Sequence, residues 1–262
     1  MEQRVGFLIA GAQKAGTSAL HHYLSLHPQL FLPTCKELHF FDDESFSWPK
    51  QGSEAGPRRW WPWGRDPYRR YHQAFDNAPA GSVWGEATPI YMFWWPSIAR
   101  IWHYNPAIKL VLVLRNPITR AFSHWNMECR RGAEDLGFLE ALQREQERCR
   151  AALPHQHRVF SYLARGYYSA QLRRIWQHLP PQQTLVLKHE ELLDNPAGSL
   201  SRVHAHLDVN QQAFSGIARL HALPYETKMN AEAKAWLREH FEAEIRQIEQ
   251  LLHWDCSDWR EA

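Results

Sequence analysis

The segment "AGAQKAGTSAL" (Ala10–Leu20) holds two glycines, Gly11 and Gly16, at the separation found in loops that cradle phosphate groups. A nucleotide-hydrolysing loop sets its lysine directly after the second glycine. Here Thr17 stands at that position, Ser18 follows, and the lysine, Lys14, lies inside the loop. If a helix starts at Thr17, the backbone N–H groups of Ala15, Gly16, Thr17, Ser18 and Ala19 form an anion cradle, because a first helical turn has unpaired donors and the positive end of the dipole. Gly16 permits close backbone approach, and Thr17 and Ser18 add hydroxyl donors. A second anionic group has its own candidates in Arg115, which ends the apolar run "KLVLVL" (Lys109–Leu114), and Ser123, with Arg120 one turn before it. A metal-dependent phosphoryl-transfer site would need an acid at the end of a buried strand to hold Mg²⁺. The two best candidate strands end in Arg115 and in Lys188-His189, so cations meet the ligand's charge and no metal is expected.

These groups work only if elements bring them together. Val5–Ala10 is a short apolar run bounded by glycine and reads as a buried parallel strand; Thr17–Leu26 follows with helical spacing of its apolar residues. Gln29–Pro33 is a candidate second strand, with Lys36–Asp43 on a turn or loop behind it. Lys109–Leu114 suits a central strand covered on both faces, and Asn116 and Pro117 are a cap and a first-turn residue for a helix running to about Cys129. A helix or helix pair is expected over Leu136–Ala152, a helix over Phe160–Leu179, a strand at Thr184–Leu187, a capped acidic turn, and helices at Pro196–Leu207 and Ala231–Leu252. On the last, Trp236, Phe241, Ile245, Ile248 and Leu252 share a stripe. Strands alternating with helices predict an α/β three-layer sandwich around a central parallel sheet, with a P-loop-like phosphate-binding loop. Ligands in such sheets bind at the carboxyl ends of strands, where the glycine loop and Arg115 both fall.

Residues 1–262 read as a single domain, with an irregular insertion at about 44–66 that is rich in Pro, Gly, Arg and Trp and is either a lid or a surface excursion. The chain has 44% apolar and 22% charged residues and a net charge of +2, so overall charge does not imply a nucleic-acid partner. Four scattered cysteines form no C-x-x-C pair, which argues against a zinc knuckle or a disulfide scaffold and for the cytoplasm. Sixteen histidines include no H-E-x-x-H set. No segment reads as a signal peptide or membrane span. Thirteen tryptophans suit large packing surfaces, a bulky acceptor groove, or both.

One site for a 5′ anhydride and another for a second phosphate is what 3′-phosphoadenosine 5′-phosphosulfate (PAPS) requires. The chain resembles the PAPS-dependent sulfotransferase family, most closely the branch with heparan sulfate N- and 3-O-sulfotransferase domains and their bacterial relatives. The resemblance rests on "AGAQKAGTSAL", "KELHFFD", "GEATPIY" and "LVLVLRNPITRAFSHW", and continues more weakly through "GYYSAQL" and "LVLKHEELLDNP". It implies that Lys14, Gly16, Thr17 and Ser18 grip the 5′-phosphosulfate and that Arg115 and Ser123 grip the 3′-phosphate. Lys14 would neutralise charge on the bridging oxygen as the S–O bond breaks.

Glu37 matches the family's catalytic glutamate and suits a general base; His39 is a second base candidate, and in an extended segment the two share a face. The bland alternatives are a surface ion pair for Glu37 and a packed ring for His39. Lys36 either orients the sulfate or is solvated. Heparan-acting members often carry lysine where this chain has Ala87, between Glu86 and Thr88, which argues against a sulfated polysaccharide acceptor. The family's glycine- and lysine-rich loop near the C-terminal end has no clear match; Arg219, Tyr225 and Lys228 are the candidates. The expected activity is sulfuryl transfer from PAPS to a hydroxyl, with an amine second, on a small-molecule or glycan acceptor, leaving adenosine 3′,5′-bisphosphate (PAP). Competing readings are a P-loop kinase with an unusual loop and a non-catalytic PAP-binding module.

Overall fold

The computed structural model describes residues 3–48, 68–213 and 228–261. Its centre is a sheet of five parallel strands in the order β2-β3-β1-β4-β5, formed by β1 (Phe7–Gly11), β2 (Leu30–Phe31), β3 (Val83–Ala87), β4 (Lys109–Leu114) and β5 (Thr184–Lys188). Every residue of β1 is buried, as is all of β4 after Lys109, which explains why these strands read as uninterrupted apolar runs. β1 and β3 lie close because Gly85 has no side chain: a Cβ there would sit 2.1 Å from the Phe7 ring.

The helices in chain order are α1 (Thr17–Ser25), α2 (Arg69–His72), α3 (Trp95–Tyr104), α4 (Pro117–Arg130), α5 (Phe138–Gln143), α6 (Glu145–Arg150), α7 (Tyr168–Trp176), α8 (His189–Asp194), α9 (Pro196–His206), α10 (Ala231–Leu252) and α11 (Ser257–Glu261). The chain moves towards one edge of the sheet from β1 to β2 and towards the other edge in all later steps. Right-handed crossovers then place α1 on one face and α3 and α4 on the other, which gives the three layers. The direction reverses beside β1, and the crevice outside the carboxyl ends of β1 and its neighbours is where such a sheet receives a ligand.

Several elements differ from the sequence expectation. β3 carries "VWGEA", a run interrupted by glycine and glutamate, so its apolar pattern is weak although its last three residues are buried. Of Phe160–Leu179, only Ala164–Gly166 and Tyr168–Trp176 are helical, because the chain before them is held by side chains, with Glu145 accepting from the Leu163 and Ala164 N–H groups. The acidic turn after β5 is the helix α8. α10 has the expected bounds and buries Leu237, Phe241, Ile245 and Ile248. The start of the proposed insertion is pinned: the Trp48 indole donates to the Asp43 carbonyl at 2.6 Å, and Glu44 pairs with Arg100 at 2.8 Å. Residues 49–67, and with them most of the proposed lid, lie outside the described residues. Among the described residues no helix is long and apolar enough to cross a membrane, and no group of three or more His, Cys, Asp or Glu is arranged to hold a metal ion.

Candidate active site

The loop after β1 ends in Gly16, which caps α1 with φ of 93° and without any side-chain hydrogen bond. That angle is open to glycine and strained for other residues. A Cβ at this position would also approach His189 Nδ1 to 3.0 Å. His189, the first residue of α8, donates through Nδ1 to the Ala15 carbonyl at 3.0 Å, and burial pushes its pKa down to about 4, so it holds the loop as a neutral ring. The Ala15 N–H bonds the Ala12 carbonyl and the Ala19 N–H the Gly16 carbonyl. This leaves the N–H groups of Gly16, Thr17 and Ser18 as the donors of an uncapped helix end, a narrower cradle than the five residues read from sequence. Thr17 is buried and Ser18 half-buried.

Arg115 follows β4 and reaches across to this loop. Its Nη1 donates to the Lys14 carbonyl at 3.2 Å, its Nε to Thr119 Oγ1 at 3.0 Å, and its own carbonyl accepts from the Tyr168 hydroxyl at 2.8 Å. Ser123 is buried about two turns into α4. Arg120, placed beside Ser123 by spacing, turns into the interior instead: it is wholly buried and bonds the Tyr162 carbonyl. Lys188 is also taken up elsewhere, since its ammonium bonds Asp258 Oδ1 at 2.6 Å and the Asp255 carbonyl at 2.9 Å.

The third part of the site follows β2 in sequence but is anchored at the end of β3. The Glu37 N–H donates to the Ala87 carbonyl at 2.9 Å, and the Phe40 and Phe41 N–H groups approach the Tyr91 hydroxyl. Behind them Glu86 is buried, accepting from Thr88 at 2.7 Å and from Tyr71 at 3.3 Å; burial raises its pKa to about 7. Glu86 and Thr88 thus support the segment from the interior.

Glu37 and His39 are not extended. Their φ angles are 64° and 52°, and with Lys14 at 70° they make three of the five non-glycine residues with positive φ among the described residues. Such angles cost energy and concentrate where function requires a fixed side-chain direction. The side chains nevertheless meet, because the turn folds them together instead of alternating them across a strand. Lys36 Nζ lies 2.6 Å from Glu37 Oε1, His39 Nε2 lies 3.5 Å from Glu37 Oε2, and His39 Nδ1 lies 3.0 Å from Asp42 Oδ2. The His39 ring and the Lys36 ammonium hold the Glu37 carboxyl down at about 2, and Asp42 with Glu37 holds His39 up at about 9. At neutral pH Glu37 is an ionised carboxylate beside an imidazolium.

Three adjacent strands therefore deliver three groups to one rim: the glycine loop from β1, Arg115 from β4, and the carboxylate–imidazolium pair tied to β3. Residues 7–213 match the family model described as Sulfotransferase family. The chain belongs to the sulfotransferase family. It is 28% identical over 216 residues to the human heparan sulfate glucosamine 3-O-sulfotransferase 3B1, covering 81% of this chain and 46% of that protein. It is also 28% identical over 211 residues to the human bifunctional heparan sulfate N-deacetylase/N-sulfotransferase 2, covering 78% of this chain and 22% of that protein. This sulfotransferase thus spans less than half the length of these curated relatives. A crystal structure of a sulfotransferase from Alicyclobacillus acidocaldarius shares 30% identity and superposes with a TM-score of 0.80 over 99% of this chain and 100% of that one. The sulfotransferase domain from the curacin biosynthetic pathway shares the fold at 16% identity, with a TM-score of 0.51 over 80% of this chain and 76% of that one.

Two groups in this sulfotransferase's rim escape sequence reading. Asp42 was visible only as the end of "KELHFFD", and Arg158, which pairs with it at 2.5 Å, lies 116 residues away with no local signal. Of the C-terminal candidates, Lys228 is exposed just before the Asn230 cap of α10, and no hydrogen bond or ion pair joins it to the loop among the described residues. Arg219 and Tyr225 lie outside the described residues.

Proposed function

We propose that this sulfotransferase uses PAPS as donor and transfers its sulfuryl group in line, without a metal, to an acceptor hydroxyl, releasing PAP. The observation that carries the reading is the convergence at the β1, β3 and β4 carboxyl ends of an uncapped helix terminus, the Arg115 guanidinium and an ionised carboxylate beside an imidazolium. The residues present fit the donor: Gly16 leaves room for close backbone approach, and the open first turn of α1 offers N–H donors to a 5′ anhydride. Arg115 and Ser123 are the proposed 3′-phosphate partners, and Tyr225 and Lys228 are retained as proposed donor-binding residues. PAPS supplies the activated sulfuryl group, whose bond to the phosphate oxygen breaks as the bond to the acceptor oxygen forms.

Lys14 is proposed to stabilise the negative charge that grows on the departing phosphate. Glu37 takes the acceptor's proton. A carboxylate near 2 holds a proton weakly, so its acceptance comes late, after bonding to sulfur has acidified the acceptor oxygen. His39, held as a cation, is proposed to fix the direction of Glu37 rather than to take the proton itself at neutral pH. A glycan is one acceptor class on which relatives bear, while Ala87 replaces the lysine expected of heparan-acting members; small alcohols and phenols are the other, with amines second. Residues 1–262 are read as one catalytic domain, with 44–66 as an insertion, and the cytoplasm as its compartment; the shared hydrophobic core and four cysteines that form no disulfide support this.

The test is transfer of labelled sulfate from PAPS to a panel of alcohols, phenols, amino sugars and glucosamine-containing oligosaccharides in the presence of a chelator. Transfer above background supports the reading. PAP binding with no transfer to any member favours a non-catalytic PAP-binding module.

A further inference from the structure

The acid that holds His39 is itself held from the far side. Asp42 is 1% exposed, and its carboxylate is shared between the His39 ring and Arg158, whose Nη1 lies 2.5 Å from Asp42 Oδ2 and whose Nη2 bonds the Asp42 carbonyl. One guanidinium thus fixes both the side chain and the backbone of the same residue, a two-point grip that lysine's single ammonium lacks. Arg158 is in turn gripped. Its carbonyl accepts from Arg165 Nη2 at 2.7 Å, and Arg165 Nη1 continues to Gln13 Oε1, inside the anion-binding loop, at 2.8 Å. Two consecutive aromatic residues lie beneath the two arginines: Trp94 under Arg158 at 4.2 Å and Phe93 under Arg165 at 4.7 Å. A continuous path runs Gln13, Arg165, Arg158, Asp42, His39, Glu37, from the donor loop to the carboxylate that would meet the acceptor.

We propose that Arg158 is a positioning residue, which through Asp42 holds the His39–Glu37 pair in register with the donor loop, with Arg165 and the Phe93–Trp94 rings as its seat. Glu37 as the base rests on the reading given under Proposed function; the grip on His39 does not. The contribution proposed for the two arginines is geometric, made through Asp42 and Gln13 rather than at the reacting atoms. A displacement of the base by about 1 Å is enough to cost on the order of 100-fold in turnover.

The charged groups facing His39 are Asp42 and Glu37, with Arg158 behind the first and Lys36 behind the second. This arrangement gives opposite signs for two roles of Arg158. If Arg158 contributes only its charge, removing it leaves Asp42 in place with less competition and raises the His39 midpoint. If it positions Asp42, removing it releases the carboxylate and the midpoint falls. The experiment is NMR titration of the His39 imidazole in the PAP-saturated full chain, parent against Arg158→Gln. Positioning predicts a midpoint of about 9 in the parent that falls towards the ordinary 6.5 in the variant. An unchanged or raised midpoint overturns the proposal. If Arg158→Gln folds poorly, Arg158→Lys is read the same way: positioning predicts a fall although the charge is kept.

Turnover with the best acceptor of the panel gives the second readout. Arg158→Gln and Asp42→Asn should each lower kcat by about 10- to 100-fold, with PAP affinity within twofold of the parent and a double variant no slower than the slower single one. Losses that multiply overturn the proposal. Activity retained in Glu37→Gln would instead remove the base assignment and leave the titration result standing.

Discussion

Glu37 and Lys14 are proposed to have opposite duties at the reacting centre, and their variants separate those duties. Lys14→Ala is expected to lower kcat by about 100- to 1000-fold, the scale for losing one preorganised group aimed at developing charge, while the melting temperature is kept. Glu37→Gln should lose turnover and keep PAP affinity, as measured by calorimetry; an active glutamine variant would remove Glu37 as the base. The charge state also predicts a pH profile. With Glu37 ionised above about 2 and His39 protonated below about 9, kcat should be flat through neutrality and fall above pH 9. A rate that rises through pH 6.5 would mean that neutral His39 is the base.

The same shifts predict a stability profile with a defined sign. His39 is raised from 6.5 to about 9 on folding, so its contribution is fully present below pH 6.5 and lost as pH rises through 9. Glu37 is lowered from 4.5 to about 2, so its contribution is present above 4.5 and lost as pH falls through 2. The melting-temperature difference between parent and His39→Gln should therefore be largest between pH 4.5 and 6.5 and vanish above 9. A difference independent of pH would contradict the pairing.

At the scale of elements, the loop between β1 and α1 depends on one backbone angle and one histidine. Gly16→Ala places a side chain where φ is 93° and where Nδ1 of His189 lies within 3.0 Å. The backbone strain alone costs about 1–2 kcal/mol. The substitution should lower the urea midpoint and weaken PAP binding, whereas His189→Ala should weaken binding with a smaller stability loss. Equal PAP affinity in both variants and the parent would show that loop shape does not matter for the anion. The loop itself was legible because its chemistry is local: glycine spacing, hydroxyls and the apolar strand before it lie within about fifteen residues. The segment carrying the proposed base was legible in residue type and not in shape, since left-handed angles at Glu37 and His39 leave no periodic trace. β3 was missed because Gly85 and Glu86, both required by packing, break the apolar pattern that marks a strand.

At the scale of the whole molecule, strand order does what no single motif can. β1, β3 and β4 are neighbours in space and are spread from Phe7 to Leu114 in sequence, so their carboxyl ends gather groups about a hundred residues apart. Arg115 was predicted to lie at such an end from its apolar run alone, and its reach to the Lys14 carbonyl needed the sheet. Arg158 shows the limit: its meaning comes from a tertiary contact across 116 residues, and nothing in its flanking sequence distinguishes it from a surface arginine.

The central claim is that this rim holds an adenosine 3′,5′-bisphosphate unit by cations and helix N–H groups alone. Calorimetric titration of PAP into the parent and into Arg115→Ala, each with a chelator present, tests it directly. The account predicts saturable PAP binding in the parent, unchanged by the chelator and tighter than that of ATP with Mg²⁺. In Arg115→Ala it predicts a loss of about 10- to 100-fold, the value of one charge-assisted hydrogen-bonding group. No PAP binding in the parent, tighter binding of ATP with Mg²⁺, or an Arg115→Ala variant that binds PAP as the parent does would contradict it.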